Sequence, residues 1–180
     1  SPIFIMGLPR SGTTLTERII VSGKNQIQSL SETDALDKVF FSEQIINNYE
    51  SDDLQTQFIF DTNSVNVLID KLLKQYHEQG LTKDNLVFTD KSISNFLYID
   101  LIQKIFPNAK FVYCYRNPIA NVVGIFRSFL PNVFWSHSLD KIFDIMEIYY
   151  KKLDKIKNNK SINLHIIELE KLTENPEKVS

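Results

Sequence analysis

The chain has 180 residues, 43% of them apolar and 23% charged, with a formal net charge of −2. That is enough for one domain with a real core, in an ordinary soluble composition, and it gives no whole-protein argument for nucleic acid or an anionic membrane. The single Cys114 excludes a disulfide framework and a cysteine-based zinc site, and reads as a small core hydrophobe in an apolar run.

Ile3–Met6 reads as a short buried strand, too short to span a bilayer and lacking the basic segment of a signal peptide. Thr13–Ser22 reads as a helix with Gly23 as its C-cap, and Ile27–Leu30 as a second strand. Ser31-Glu32-Thr33-Asp34 supplies cap residues for a helix through about Ile46. Asn47–Gln57 is polar and predicts a loop. Asp61–Gln79 is an amphipathic helix with Val65, Leu68, Leu72 and Tyr76 on one face, ended by Gly80.

Leu86–Thr89 predicts a strand and Ser94–Phe106 a helix stopped by Pro107. Lys110–Tyr115 is the clearest strand, and Pro118–Leu130 a helix with proline in its first turn. Ser138–Lys157 is a long helix placing Leu139, Ile142, Ile145, Met146, Tyr149, Tyr150 and Leu153 towards the core. Ile162–Ile167 is a last strand, and Asn175-Pro176-Glu177 opens a last helix. The alternation predicts an α/β fold with a mainly parallel sheet flanked by helices, in a P-loop-like three-layer sandwich.

Ligands of such sheets sit outside the carboxyl ends of the strands. Those ends carry Gly7–Thr14, Ser31-Glu32, Asp90-Lys91, Arg116-Asn117 and Glu168, which a parallel sheet brings to one edge. Gly7-Leu8-Pro9-Arg10-Ser11-Gly12-Thr13-Thr14 has nearly the spacing of a phosphate loop, but Thr13 stands where the lysine belongs. Its backbone N–H groups and the following helix N-terminus make an anion nest. Ser11, Thr13 and Thr14 add hydroxyls, and Arg10 adds a cation that can bond two oxygens.

Without the lysine, a triphosphate is not held in the usual way, although Thr14 keeps the metal-side position and Asp90 stands where a metal-binding acid could. Lys91 beside Asp90 competes with a metal, so Asp90 reads as the structural partner of a nearby cation rather than as a metal ligand. A sulfuryl group on a phosphosulfate anhydride carries less charge and needs only Arg and Lys. At this stage Glu32 reads as a general base or as a first-turn acid favoured by the helix dipole, and Lys91 as a site cation or a surface lysine. The aromatics Phe129, Phe134 and Trp135 read as core or as an acceptor pocket. Of the three histidines, His137 in "WSHS" is the one to watch.

With these residues assembled, the chain resembles the sulfotransferases. "PRSGTTL" (Pro9–Leu15) resembles the loop that binds the 5′-phosphosulfate of 3′-phosphoadenosine 5′-phosphosulfate (PAPS). "SETDAL" (Ser31–Leu36) resembles the catalytic-glutamate segment of tyrosylprotein sulfotransferases. "TDKSISNFLYIDLIQKIFPNAKFVYCYRNP" (Thr89–Pro118) resembles the core of the branch attached to tetratricopeptide repeats, and "IIELEKLTENPE" (Ile166–Glu177) the late strand and helix.

The resemblance implies transfer of a sulfuryl group from PAPS to a hydroxyl acceptor, without metal, leaving adenosine 3′,5′-bisphosphate (PAP). It implies catalytic roles for Glu32 as base and for Lys91 and Arg10 as charge stabilisers. Arg10, Ser11, Gly12, Thr13 and Thr14 would hold the 5′-phosphosulfate, and Arg116 the 3′-phosphate. Where the family usually carries a serine for that phosphate, this chain has Gly124, leaving its backbone N–H and Ser128 one turn on; Ala120 also departs from the pattern. Implied partners are a small-molecule, glycan or protein-tyrosine hydroxyl and an N-terminal repeat domain, with no nucleic acid. The chain reads as one domain over 1–180, a fragment lacking the loop that closes over the nucleotide, with the cytoplasm as default address. A P-loop kinase and a degenerate nucleotide-binding module are the alternatives.

Overall fold

A computed structural model describes residues 1–23, 26–42, 62–82 and 87–175. The strands are β1 (Pro2–Met6), β2 (Gln28–Ser29), β3 (Phe88–Asp90), β4 (Lys110–Tyr115) and β5 (Leu164–Glu168). The helices are α1 (Thr13–Ser22), α2 (Ala35–Ser42), α3 (Thr62–Glu78), α4 (Ile99–Ile105), α5 (Pro118–Phe126), α6 (Leu139–Lys157) and α7 (Leu169–Glu174). The five strands form one parallel sheet in the order β2-β3-β1-β4-β5. The fold class is the α/β sandwich that the alternation predicts.

The period-two alternation of β1 and β4 divides the core. Phe4, Met6, Phe111 and Tyr113 point to one face, where they pack with residues of α2, α3, α4, α5 and α6 in the larger core. Ile3, Ile5, Val112 and Cys114 point to the other, where Ile19 and Ile20 of α1 and Leu172 of α7 cover them. Cys114 is the small core residue its setting predicts. Burial pushes its thiol up to about 11, and its Sγ lies 3.3 Å from Thr16 Oγ1.

Several boundaries differ from expectation. Ser94–Phe106 is not one α-helix: a 3-10 turn over Ile93–Tyr98 precedes α4. Side chains that prefer local and cross-chain bonds occupy its first turn. Asn95 donates to Asp90, Ser94 to Asp37, and the Asn95 N–H bonds Ser92 O, three residues back. Helix α5 stops at Phe126 rather than Leu130, because Ser128 N–H takes the carbonyl of Ile125, tightening the end, and Ser128 Oγ takes that of Gly124. A second 3-10 turn, Phe134–His137, leads to α6. Of the residues expected inward on α6, Leu139 is exposed, while Ile142, Met146, Tyr149 and Leu153 are buried.

Helix α7 begins directly after β5 and ends where the last helix was expected to start, since a following proline disfavours the helical conformation at Asn175, which sits at φ −143° and ψ 71°. The expected helix end near Ile46, the loop over 47–57 and the helix from Pro176 onward lie outside the described residues. No described helix is long and apolar enough to cross a membrane.

Candidate functional site

The carboxyl edge of the sheet holds a cleft of about 310 Å³. Residues from three strand ends line it: Gly7–Arg10, Thr13 and Thr14 after β1, Glu32 after β2, and Lys91 with Ser92 after β3. The segment from Leu130 to Val133 closes the far side.

The loop after β1 is pinned from below. Gly7 has φ 153°, and a Cβ there would lie 2.6 Å from the Cys114 carbonyl and 2.6 Å from Ser11 Oγ. Gly12 has φ 97°, and a Cβ there would strike Leu169 of α7 at 2.6 Å. Both glycines are therefore demanded by the close approach of β4 and α7, as well as by backbone conformation. Arg10 itself holds a left-handed φ of 66°. Two side chains outside the loop fasten its carbonyls: buried Asn121 donates to Pro9 O at 2.7 Å, and Arg116 Nη1 to Arg10 O at 2.9 Å. The first-turn N–H groups of α1, which lack intrahelical partners, open at the end of this loop with no acidic residue beside them.

A second set of bonds places Glu32 and Lys91. Asp90 is fully buried at the end of β3 and accepts from five donors. Its Oδ2 takes Thr33 Oγ1 and Tyr76 OH, each at 2.9 Å. Its Oδ1 takes Ser92 N, Ser92 Oγ and Asn95 Nδ2 at 3.1, 2.9 and 2.7 Å. Thr33 N–H donates to Ser92 Oγ, and Lys91 N–H to the carbonyl of Ser31, which sits at φ 57°. These bonds fix the residues flanking Glu32 and Lys91, and the two side chains meet at 2.9 Å. The pair is unequal: the Lys91 side chain is 4% exposed and that of Glu32 69%. A buried ammonium needs a partner, whereas an exposed carboxylate can turn to another.

Burial pushes the Asp90 carboxyl up, opposed by the bonds from Asn95, Ser92, Tyr76 and Thr33. Hydroxyl and amide donors surround it rather than the cation the sequence suggested, and they occupy both oxygens. Asp90 thus serves as the knot that ties β3 to the Glu32 segment, not as a free metal-binding acid. Among the described residues, no group of three or more His, Cys, Asp or Glu side chains is arranged to hold a metal ion.

Of the residues singled out in the sequence, Arg10, Thr13, Thr14, Glu32 and Lys91 line the cleft together. Ser11 is buried inside the curl of the loop, its Oγ without a hydrogen-bond partner, and it does not line the cleft. Arg116 stands beside the cleft through its bond to Arg10. Gly124 lies under both arginines: a Cβ there would sit 3.1 Å from Arg116 Nη1 and 3.3 Å from Arg10 Cβ. The missing serine is thus replaced by space that the Arg116 guanidinium uses. Ser128 spends its hydroxyl proton on Gly124 O at 2.7 Å. None of His77, His137 and His165 lines the cleft.

Sequence reasoning missed Asn121 and Glu17. Glu17 is buried on α1 and accepts from Ser29 Oγ and Thr89 Oγ1, tying the helix to β2 and β3. For Asn121 the available signal was a lone polar residue on the apolar side of α5; Glu17 sits beside the equally buried Thr16, so α1 carries no such mark.

Comparisons with known proteins bear on the family and the fold. The profile of the Sulfotransferase family matches residues 2–179. A relative from Aquifex aeolicus (strain VF5), described as an uncharacterized protein, is 28% identical over 199 aligned positions, covering 99% of this chain. The chain spans only 24% of that relative's length. Among solved structures, a sulfotransferase from Alicyclobacillus acidocaldarius superposes with a TM-score of 0.56 at 16% identity, covering 98% of this chain and 76% of that one. A sugar kinase from Janibacter sp. HTCC2649 gives a TM-score of 0.48 at 11% identity, covering 99% of this chain and 92% of that one. On the match along nearly its whole length, the chain belongs to the sulfotransferase family.

Proposed function

We propose that this domain transfers a sulfuryl group from PAPS to a hydroxyl acceptor. The observation that carries the reading is the Lys91–Glu32 pair, 2.9 Å apart in the same cleft as the anion loop. A cation and a carboxylate placed side by side beside an anion nest can serve the two ends of one transfer.

Arg10, Thr13, Thr14 and the first turn of α1 bind and orient the 5′-phosphosulfate. Arg116, beside Arg10, binds the 3′-phosphate. Glu32 accepts the acceptor's hydroxyl proton as the acceptor oxygen forms its bond to sulfur. The bond from sulfur to the phosphate oxygen breaks, and PAP leaves with the electron pair. Lys91 stabilises the charge that develops on the bridging oxygen and on the transferring group. Charge is conserved within the site: one proton moves to Glu32, and the negative charge passes to PAP. No metal is assigned a part, and Asp90 acts only by holding Thr33 and Ser92. The Ser31–Leu36 and Thr89–Pro118 stretches support a place nearest the tyrosylprotein and tetratricopeptide-repeat-associated branch.

The test is a thermal-shift comparison of PAP, ADP and magnesium-ATP at equal concentration. A ligand at 100 times its dissociation constant adds about 2.7 kcal/mol to the native state. PAP should raise the melting temperature clearly and ADP much less. A larger shift with magnesium-ATP would replace this reading with a kinase.

A further inference from the structure

A second and larger hollow opens from the catalytic cleft. It encloses about 970 Å³ and shares Glu32, Ser92, Ile93, Asn132 and Val133 with the cleft. A molecule lying in it therefore reaches the Glu32 carboxylate with one end. Its volume is at the top of the roughly 300–1,000 Å³ range of small-molecule sites.

Resting on the sulfotransferase reading above, we propose that the acceptor is a neutral, largely apolar phenol or alcohol whose body lies in this groove. One wall is hydrophobic: Leu97 and Trp135 come from the two 3-10 turns, and Ile145, Ile148 and Tyr149 from α6. Ile148 and Phe134 stand at 42% and 85% exposure, which leaves apolar surface open to an apolar guest.

Most of the charged and hydroxyl groups around the groove are already engaged. Tyr149 OH donates to the Ile93 carbonyl. Asp37 accepts from Ser94 Oγ on one oxygen and Tyr98 OH on the other. Lys38 pairs with Asp34 at 3.0 Å, and Gln79 also donates to Asp34. A sugar would give up its hydration to a wall that returns few hydrogen bonds. An acidic acceptor would meet three carboxylates, Glu32, Asp34 and Asp37, with Lys38 and Lys91 each already paired. An uncharged apolar molecule with one hydroxyl at the Glu32 end meets neither cost.

The experiment measures kcat/KM of the full-length protein with PAPS and three acceptors: para-pentylphenol, glucose and a tyrosine peptide flanked by glutamates. The phenol should lead each of the others by about a hundredfold or more, an energy within reach of a buried apolar chain. Ile148→Glu, on the groove wall away from Glu32, should raise KM for the phenol about tenfold. It should leave kcat and the thermal shift with PAP unchanged. If PAP stabilises the protein but glucose or the peptide outranks the phenol, or the phenol is not turned over, the apolar-acceptor assignment is overturned while the donor reading stands. If PAP does not stabilise the protein, the donor reading fails and takes this assignment with it.

Discussion

Glu32→Gln should lower kcat by about a hundred- to ten-thousand-fold, the range for removing a general base, while PAP still binds. The substitution keeps the shape of the side chain and an oxygen that can accept from Lys91. It removes the basicity that takes the acceptor proton. The Glu32 side chain is largely exposed, so the fold does not depend on its charge. The segment's position comes instead from Thr33, Ser92 and Asp90, which the substitution leaves alone. Steady-state kinetics and a PAP thermal shift on the same preparation separate the two effects. Unchanged kcat would show that another group takes the proton. Loss of both kcat and PAP binding would mean that Glu32 supports the donor site rather than the chemistry.

Arg116→Ala should weaken PAP about ten- to a hundredfold, the loss of charge-assisted hydrogen bonds to one phosphate, and leave ADP nearly unaffected. The reason is positional. Arg116 follows β4, the strand next to β1, and its Nη1 bonds the carbonyl of Arg10, so the two guanidinium-bearing residues are anchored together. Gly124 beneath them leaves room for both. The alanine variant also frees Arg10 O; if that bond were what held the loop, every phosphate ligand would weaken alike. Arg116→Lys controls for this: it restores the cation without the planar fork and should recover part of the preference for PAP. Equal losses for PAP and ADP, measured by calorimetry, would mean that Arg116 only braces the loop.

The chemistry of the edge was legible because the sheet is parallel. Once Ile3–Met6, Ile27–Leu30, Leu86–Thr89 and Lys110–Tyr115 are read as strands of such a sheet, the residues after them must share one side. Arg10, Thr13, Thr14, Glu32 and Lys91 were placed in one cleft by that logic alone. What escaped was the support beneath it. Asp90 read as the partner of a nearby cation because a lone aspartate after a buried strand carries no mark of its partners. Those partners, Thr33, Tyr76, Ser92 and Asn95, lie up to 57 residues away in the chain. Asn121 was hidden by the apolar pattern of α5, and its bond to Pro9 spans 112 residues. The single helix expected over Ser94–Phe106 failed for a related reason. Its apolar spacing suits a helix, but its first turn is held by side-chain bonds to Asp90 and Asp37 that periodicity does not encode.

Aromatic residues near position 130 gave a mixed outcome for physical reasons. Trp135 and Phe134 line the large groove, whereas Phe129, at 85% exposure, does not. The early end of α5 at Phe126 separates them, because Ser128 Oγ takes the Gly124 carbonyl and the chain leaves the helix axis.

The most direct test of the account is sulfuryl transfer by the full-length protein from PAPS to a phenol in the presence of a magnesium chelator. One PAP should be released for each aryl sulfate formed, at an undiminished rate, because Arg10, Lys91 and Arg116 neutralise the donor. Transfer that stops on chelation and returns with magnesium, or a protein that phosphorylates the acceptor from magnesium-ATP instead, would contradict it.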